Sequence, residues 1–578
     1  MTFRRYYEDE LAYLHDLGEA FGRANPAIAG LLSRQGTDPD VERLLEGFAF
    51  LTGRLRQRLD EELPELSHGL LALLRPQYLR PVPAMTTLCF AADAAGVVTV
   101  PKGAGVASRP VEGVACRFRT CSNLDVLPAS VSAVQFQAVA NAAVLSVTVR
   151  LVQGATFGAI AGRTLRLFLN GEQDPRLGAR LLRALLVDLE QIELAVGTAT
   201  WRLPPGALHH GGFDPEEAAL PWPSNAFTGH RVLQEYLAFP EKFLFVDLAS
   251  LPADLRGGGD TLTIAFRFAR IPDLPDRITA GNIRLNCVPA INLFAAPANP
   301  LSLDPGRMEY RLVPAGPASR YARIYSIDRM EGLIQGRPDA LVLPAFESFR
   351  HLRPGQPGAF YRSRMRQAIL GRGGELWISF VDGGDRPVLP KVDTVSATLT
   401  CTDGELSELI PVGGLDQVAV GSPAAMSFRN VTPVTPEASP PLEGDTMWRL
   451  VAGLARSMSP LIDIESLRSL IASYDFRAIH DEQQRRRLEL QVSGLLDLGM
   501  EPMERLVKGI PLLGRQLTVT VKESGFGGAE GAFLFGAAFE AFMGAYAGLN
   551  SCYRLVMHCA ESKVRFAWPV RAGAAAVL

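Results

Sequence analysis

The hydrophobic period changes at Pro83. Before it, apolar residues recur at three- and four-residue steps, which line one face of a helix. After it they fall in short β-type runs between glycine and proline breaks. That switch asks for a multidomain α+β chain. We expect an N-terminal helical segment at 1–82 and a β-rich domain at 83–275 with an inserted helix. A second β-rich domain at 276–430, a proline-rich linker at 431–445 and a C-terminal α+β domain at 446–578 follow. At about 150 residues per domain, 578 residues suffice for three to four.

The helical segment has three parts. Tyr7, Leu11, Leu14, Leu17 and Phe21 line a helix that Asn25-Pro26 closes. In the second helix Asp38 caps, Pro39 fits the first position, and Val41, Leu44, Leu45, Phe48, Leu51, Leu55 and Leu59 form a stripe of about five turns. An apolar stretch from Leu66 to Leu74 ends at Pro76. The stripe reads either as the core of a small bundle, with Leu45 and Phe48 buried, or as a surface that docks on another chain.

In the middle, Thr86–Phe90, Val97–Val100, Val144–Leu151, Leu165–Leu169, Leu262–Phe268, Arg284–Val288, Tyr321–Ile327, Leu376–Phe380 and Val395–Cys401 read as strands. Asp174–Glu190 reads as the inserted helix and 201–230 as loop. Beyond the linker, Met447–Met458 and Ile464–Tyr474 look helical, Leu488–Val492 and Gln516–Val521 look like strands, and Arg554–Cys559 closes the domain. Phe533–Leu549 is strongly apolar. At about 17 residues with Glu540 at its centre it reads as a buried helix rather than a membrane span. Its Gly and Ala positions permit close backbone approach, and Glu540 is expected to face solvent or meet an arginine.

Composition excludes whole classes. Hydrophobic residues make up 47% and charged residues 21%, which rules out a disordered, collagen-like or coiled-coil chain. Net charge is −3, so no basic balance points to nucleic acid. Six of the 58 basic residues are lysine, a bias that fits a GC-rich genome. Mean hydropathy of +0.11 implies a large core, large buried interfaces, or both. Seven scattered cysteines without CxxC spacing, and no apolar leader after MTFRRYYEDE, read as a reduced, cytosolic chain.

The search for chemistry is nearly empty. Gly509–Gly514 has phosphate-loop glycine spacing, but Arg515-Gln516 replaces the lysine and hydroxyl that phosphates and magnesium need. Gly525–Gly528 favours a hairpin or a turn into a helix over a dinucleotide loop. His209-His210 would point apart, which disfavours a shared metal. There is no HExxH pattern and no GxSxG elbow. No catalytic, cofactor-binding or metal-binding residue is assigned.

Several blocks carry a resemblance. YYEDELAYLHDLGEAF, DPDVERLLEGFAFLTGRLRQRLDEELPE, LRPQYLRPVPAM, NCVPAINLFAAPANPLSLD, SRYARIYSIDRMEG, LWISFVD, ATLTCTDGELSELIP, FLFGAAFEAF…LNSCYRLVM and WPVRAG occur in order along nearly the whole chain. Together they resemble the TssF family (VasA or ImpG), baseplate subunits of bacterial type VI secretion systems. The resemblance implies a non-enzymatic wedge subunit, two copies per TssG, binding TssK, TssE and the VgrG hub on the cytoplasmic side of the inner membrane. It implies no cofactor, no nucleic acid and no membrane insertion. Interface candidates are Leu44, Leu45, Phe48, Leu51 and Leu55 on the second helix, Phe539 and Gly544 on the late helix, and Trp568. The competing reading is a carbohydrate-active enzyme with a cleft in the β-rich domains.

Overall fold

The computed structural model describes residues 7, 11, 12, 14, 40, 43–54, 69, 71, 72, 75–139, 142–172, 174–223, 226–249, 251–255, 259–316, 319–336, 339–346, 358–367, 374–419, 426–440, 463–507, 510–546 and 551–572. The chain divides into two compact units, 1–75 with 443–452, and 76–442 with 453–578.

In the first unit the described residues are helical at 7, 11, 12, 14, 40, 43–54, 69, 71 and 72, and Leu71 is buried. Leu17, Phe21, Leu55, Leu59 and the expected 447–458 helix lie outside the described residues.

The second unit is built on antiparallel sheets. A six-stranded sheet runs in the order Leu415–Val418, Gly105–Ser108, Arg117–Thr120, Cys287–Ile291, Met85–Phe90, Phe428–Asn430. It draws strands from both sides of the expected 275/276 boundary. Leu88, Phe118, Val288, Leu415 and Phe428 share its core. A five-stranded sheet holds Ala129–Val139, Ala142–Leu151, Leu189–Val196, Ala199–Leu203 and Thr261–Phe268. Its strands alternate cleanly: Leu145, Val147 and Val149 face in while Ser146 and Thr148 are half-buried. Phe294–Pro297, Arg323–Leu333 and Thr394–Thr402 form another sheet, with Leu399 and Cys401 in a separate core. Asp403 lies where these two regions meet. Its buried carboxylate accepts from Arg117 N at 2.6 Å and Asn292 Nδ2 at 2.9 Å.

Residues 431–440 are not a free linker. Val431, Val434 and Ala438 are buried along the Met85–Phe90 strand. Threonine hydroxyls join the segment to that strand as acceptors: Met85 N donates to Thr435 Oγ1 and Thr87 N to Thr432 Oγ1, both at 2.9 Å.

Three local readings are corrected. The inserted helix is only Leu177–Arg183, loosening into a wider turn at Ala184–Asp188 before a strand begins at Leu189. Within 201–230 the chain forms strand Leu208–His210 and starts helix Gly229–Ala238. Leu488–Val492 is helical, inside Glu482–Ser493, because Asp481 caps it by accepting from Gln483 N and Gln484 N.

Towards the C-terminus, Ile510–Val521 pairs antiparallel with Leu495–Val507 and parallel with Ser551–Cys559. A parallel neighbour requires a crossover, supplied by helix Ala529–Tyr546. Gly527 and Gly528 (φ 82° and 127°) make the turn into that helix, as their spacing suggested. The helix packs against Leu177–Arg183 and Gly229–Ala238. Phe542 stacks on His230 at 5.7 Å and Phe535 meets Tyr236 at 5.9 Å.

Candidate interaction surfaces

The 43–54 helix has an inverted pattern. Helical spacing places Leu44, Phe48 and Leu51 on one side, and they are 74%, 57% and 62% exposed. The opposite side carries Ala49 and Gly53, both buried. Phe48 is therefore not core, contrary to the bundle reading. The small residues are on the buried side, which leaves the large side chains outside. Leu45 is half-buried between the two faces, and Phe50 adds a further exposed ring.

The late-helix candidates lie elsewhere. Phe539 is wholly inside this chain's own core, between Phe535 and Phe542. Trp568 is half-buried and stacks on Phe533 at 5.6 Å, over the space that Gly536 leaves open. A Cβ at Gly544 would meet the Tyr553 hydroxyl at 2.5 Å. These residues bind the helix to its own sheet. Glu540 meets an arginine as expected: Arg571 Nε lies 2.9 Å from Oε1, which also accepts from the Tyr553 hydroxyl at 3.2 Å. Burial still holds the Glu540 carboxyl above its ordinary range, with Arg571 pulling the other way.

Sequence reasoning missed other exposed apolar side chains. Leu496, Met500 and Leu513 line the long hairpin, and Leu409, Val412 and Val418 lie on or beside the edge strand Leu415–Val418. Leu415 alternates into the core while Val418 stays exposed.

Of the motifs weighed, the adjacent histidines can be followed in full. His210 is held by the Phe243 carbonyl, 2.7 Å from Nε2, and burial pulls its pKa down to about 4. Its neighbour His209 is exposed. Among the described residues no three His, Cys, Asp or Glu are grouped to hold a metal ion, and no helix is long and apolar enough to cross a membrane.

Comparison with known proteins gives one family. Residues 1–575 match the family described as "Type VI secretion system, TssF". The chain is 28% identical over 614 aligned residues to "Type VI secretion system component TssF1" of Pseudomonas aeruginosa, covering 98% of each chain. It resembles a chain in the structure of "the type VI secretion system TssK-TssF-TssG baseplate subcomplex", with TM-score 0.76 and 29% identity over 92% of this chain and 98% of that one. It also resembles a chain of "the baseplate complex from the type VI secretion system", with TM-score 0.63 and 25% identity over the full length of both. A match spanning helices, sheets and the closing block cannot arise from one shared module, and the chain belongs to the TssF family of type VI secretion systems.

Proposed function

We propose that the chain is a structural subunit of a type VI secretion baseplate wedge and acts by making interfaces, not by catalysis. The observation that carries this is its end-to-end likeness to a chain solved inside a TssK-TssF-TssG subcomplex. On that basis its partners are a TssG homologue, a TssK homologue and, further out, TssE and the VgrG hub, with a second copy of itself in the wedge. The site of action is the baseplate docked at the inner membrane. Its work is geometric: holding sheath and hub in register, then passing on the rearrangement of firing. Nothing observed favours the carbohydrate-enzyme reading.

The surface proposed for this work is Leu44, Phe48 and Leu51. Three large apolar side chains on one exposed helical stripe are costly in water and become favourable when a partner covers them. Pull-down of the cognate TssG homologue by wild type and Phe48→Asp tests it. Loss of capture with an unchanged melting curve supports the reading. Normal capture by Phe48→Asp, and by a Leu44→Asp/Leu51→Asp variant, removes this surface from the interface.

A further inference from the structure

Three side chains stand in a row on adjacent strands of the six-stranded sheet. Cys89 is directly opposite Cys287 on one side and Arg429 on the other. Residues opposite one another in antiparallel strands share a face. Phe90 N donates to Asn286 O at 2.9 Å and Asn292 N to Ala84 O at 2.8 Å, so the even positions of the first strand form the hydrogen-bonded pairs. Cys89 and Cys287 are therefore a non-hydrogen-bonded pair, with Cα atoms roughly 4.5 Å apart, within the range a disulfide spans. Both thiols reach the same acceptor, Leu285 O, at 3.4 and 3.3 Å. Both are reduced.

Access is asymmetric. Half-buried Cys89 forms part of the wall of a cavity of about 510 Å³, while Cys287 is buried and not part of that wall. The charged residues on the wall are Arg284 and Arg429 against Asp93. Arg284 also pairs with Glu172 at 2.9 Å, and Arg429 is exposed. A hydrogen bond from Cys287, helped by the two arginines, draws the Cys89 thiol below its ordinary value in spite of burial. Burial is the largest influence on five other thiols: Cys287 is held well above its ordinary value, Cys116, Cys121 and Cys401 are pushed up to about 12 and Cys559 to about 11. The thiolate is the nucleophile, so reactivity concentrates at Cys89.

We propose that Cys89 is a thiol-modification site for an anionic low-molecular-weight disulfide, with Cys287 as the resolving thiol. The Cys89 thiolate attacks one sulfur of the reagent. The reagent's S–S bond breaks, one thiolate leaves and takes a proton, and a mixed disulfide forms on Cys89. Cys287 then attacks Cys89 Sγ and passes its proton to the departing thiolate. This expels the second reagent thiolate and closes a Cys89–Cys287 disulfide. The protein dithiol is oxidised and the reagent disulfide is reduced to two thiols. The cavity volume suits a small-peptide reagent, and the arginines suit its carboxylates.

The test treats the reduced full-length chain with glutathione disulfide and, separately, with the cationic disulfide cystamine, under native conditions, followed by peptide mapping. The expected product is a Cys89–Cys287 disulfide with the other five thiols unmodified, formed severalfold faster with glutathione disulfide than with cystamine. Cys287→Ser should instead accumulate a stable glutathionyl adduct on Cys89, and Arg429→Ala should erase the preference for the anionic reagent. Circular dichroism checks that each variant is folded. The wild-type map does not depend on any variant. No modification at Cys89, equal modification of all the thiols, or equal rates with both reagents would overturn the proposal.

Discussion

Glu437 is the residue whose chemistry conflicts most with its surroundings. Its Oε2 is shut off from solvent, and burial raises its pKa from 4.5 to about 7, with the Thr402 hydroxyl and the Arg323 charge pulling the other way. A raised carboxyl pKa means that the unfolded chain releases the proton first. The native state therefore loses stability as pH climbs from 4.5 to about 7 and does not regain it above. Glu437→Gln should be more stable than wild type by about 1–3 kcal/mol near neutral and alkaline pH. The difference should vanish in acid. Urea titrations at several pH values check this, and a constant difference across pH contradicts it. At Gly544 the predicted change has the opposite sign. Gly544→Leu must displace the buried Tyr553 ring and its bond to Glu540, at a cost of about 1–3 kcal/mol. The loss should appear in the melting curve of the chain itself, before any partner is added. Sequence spacing marked Gly544 as a place of close approach, which it is. It did not say that the approaching group belongs to the same chain, because Tyr553 reaches it only through the strand that follows the helix.

Elements were legible where one signal dominated. Ala142–Leu151 and Thr261–Phe268 alternate without interruption, and both are strands close to where the pattern puts them. Glu482–Ser493 misleads because Leu488, Leu490 and Val492 alternate by chance. Only Leu488 is buried, and the Asp481 cap outweighs the alternation. The irregular 211–228 stretch carries another hidden constraint. Buried Glu235 accepts from Ala219 N and Leu220 N, both at 2.9 Å, and pairs with Lys242 Nζ at 2.6 Å, which also donates to Gly212 O at 2.8 Å. One ion pair thus ties Gly212, Ala219 and Leu220 to helix Gly229–Ala238 and the turn that follows it. Lys242→Met leaves buried Glu235 with only the longer 3.8 Å approach of Arg231 Nε as a cation and should cost about 3–5 kcal/mol in chemical denaturation. A loss under about 1 kcal/mol would mean that Arg231 and the backbone donors suffice to hold Glu235. The 43–54 helix makes the reverse prediction on its two faces. Phe48→Ala should leave stability within about 0.5 kcal/mol, whereas Ala49→Leu should cost about 1–3 kcal/mol by overpacking the buried side. Equal effects in thermal melts would contradict the inverted pattern. Sequence could not choose between the faces, because periodicity reports that a stripe exists and not which way it turns.

On the scale of the whole molecule, order along the chain and neighbourhood in the fold part company. The six-stranded sheet joins residues from 85 to 430, and the C-terminal helix Ala529–Tyr546 packs on helices from 177–183 and 229–238. Such long-range pairings leave no local trace, so boundaries drawn from composition could not find them. Function was legible for a different reason. It rests on ordered sequence blocks along nearly the whole chain, whereas the chemical motifs that mark an enzyme site were missing from the sequence. On the proposed reading this chain works by assembly, through surfaces such as Leu44, Phe48 and Leu51. The most direct measurement is the light-scattering mass of the full-length chain purified alone and after co-expression with its cognate TssG homologue. Poor, polydisperse recovery is expected alone, and a monodisperse complex of two copies with one TssG homologue after co-expression. Equal monodisperse monomer in both preparations, with no TssG homologue bound, would contradict it.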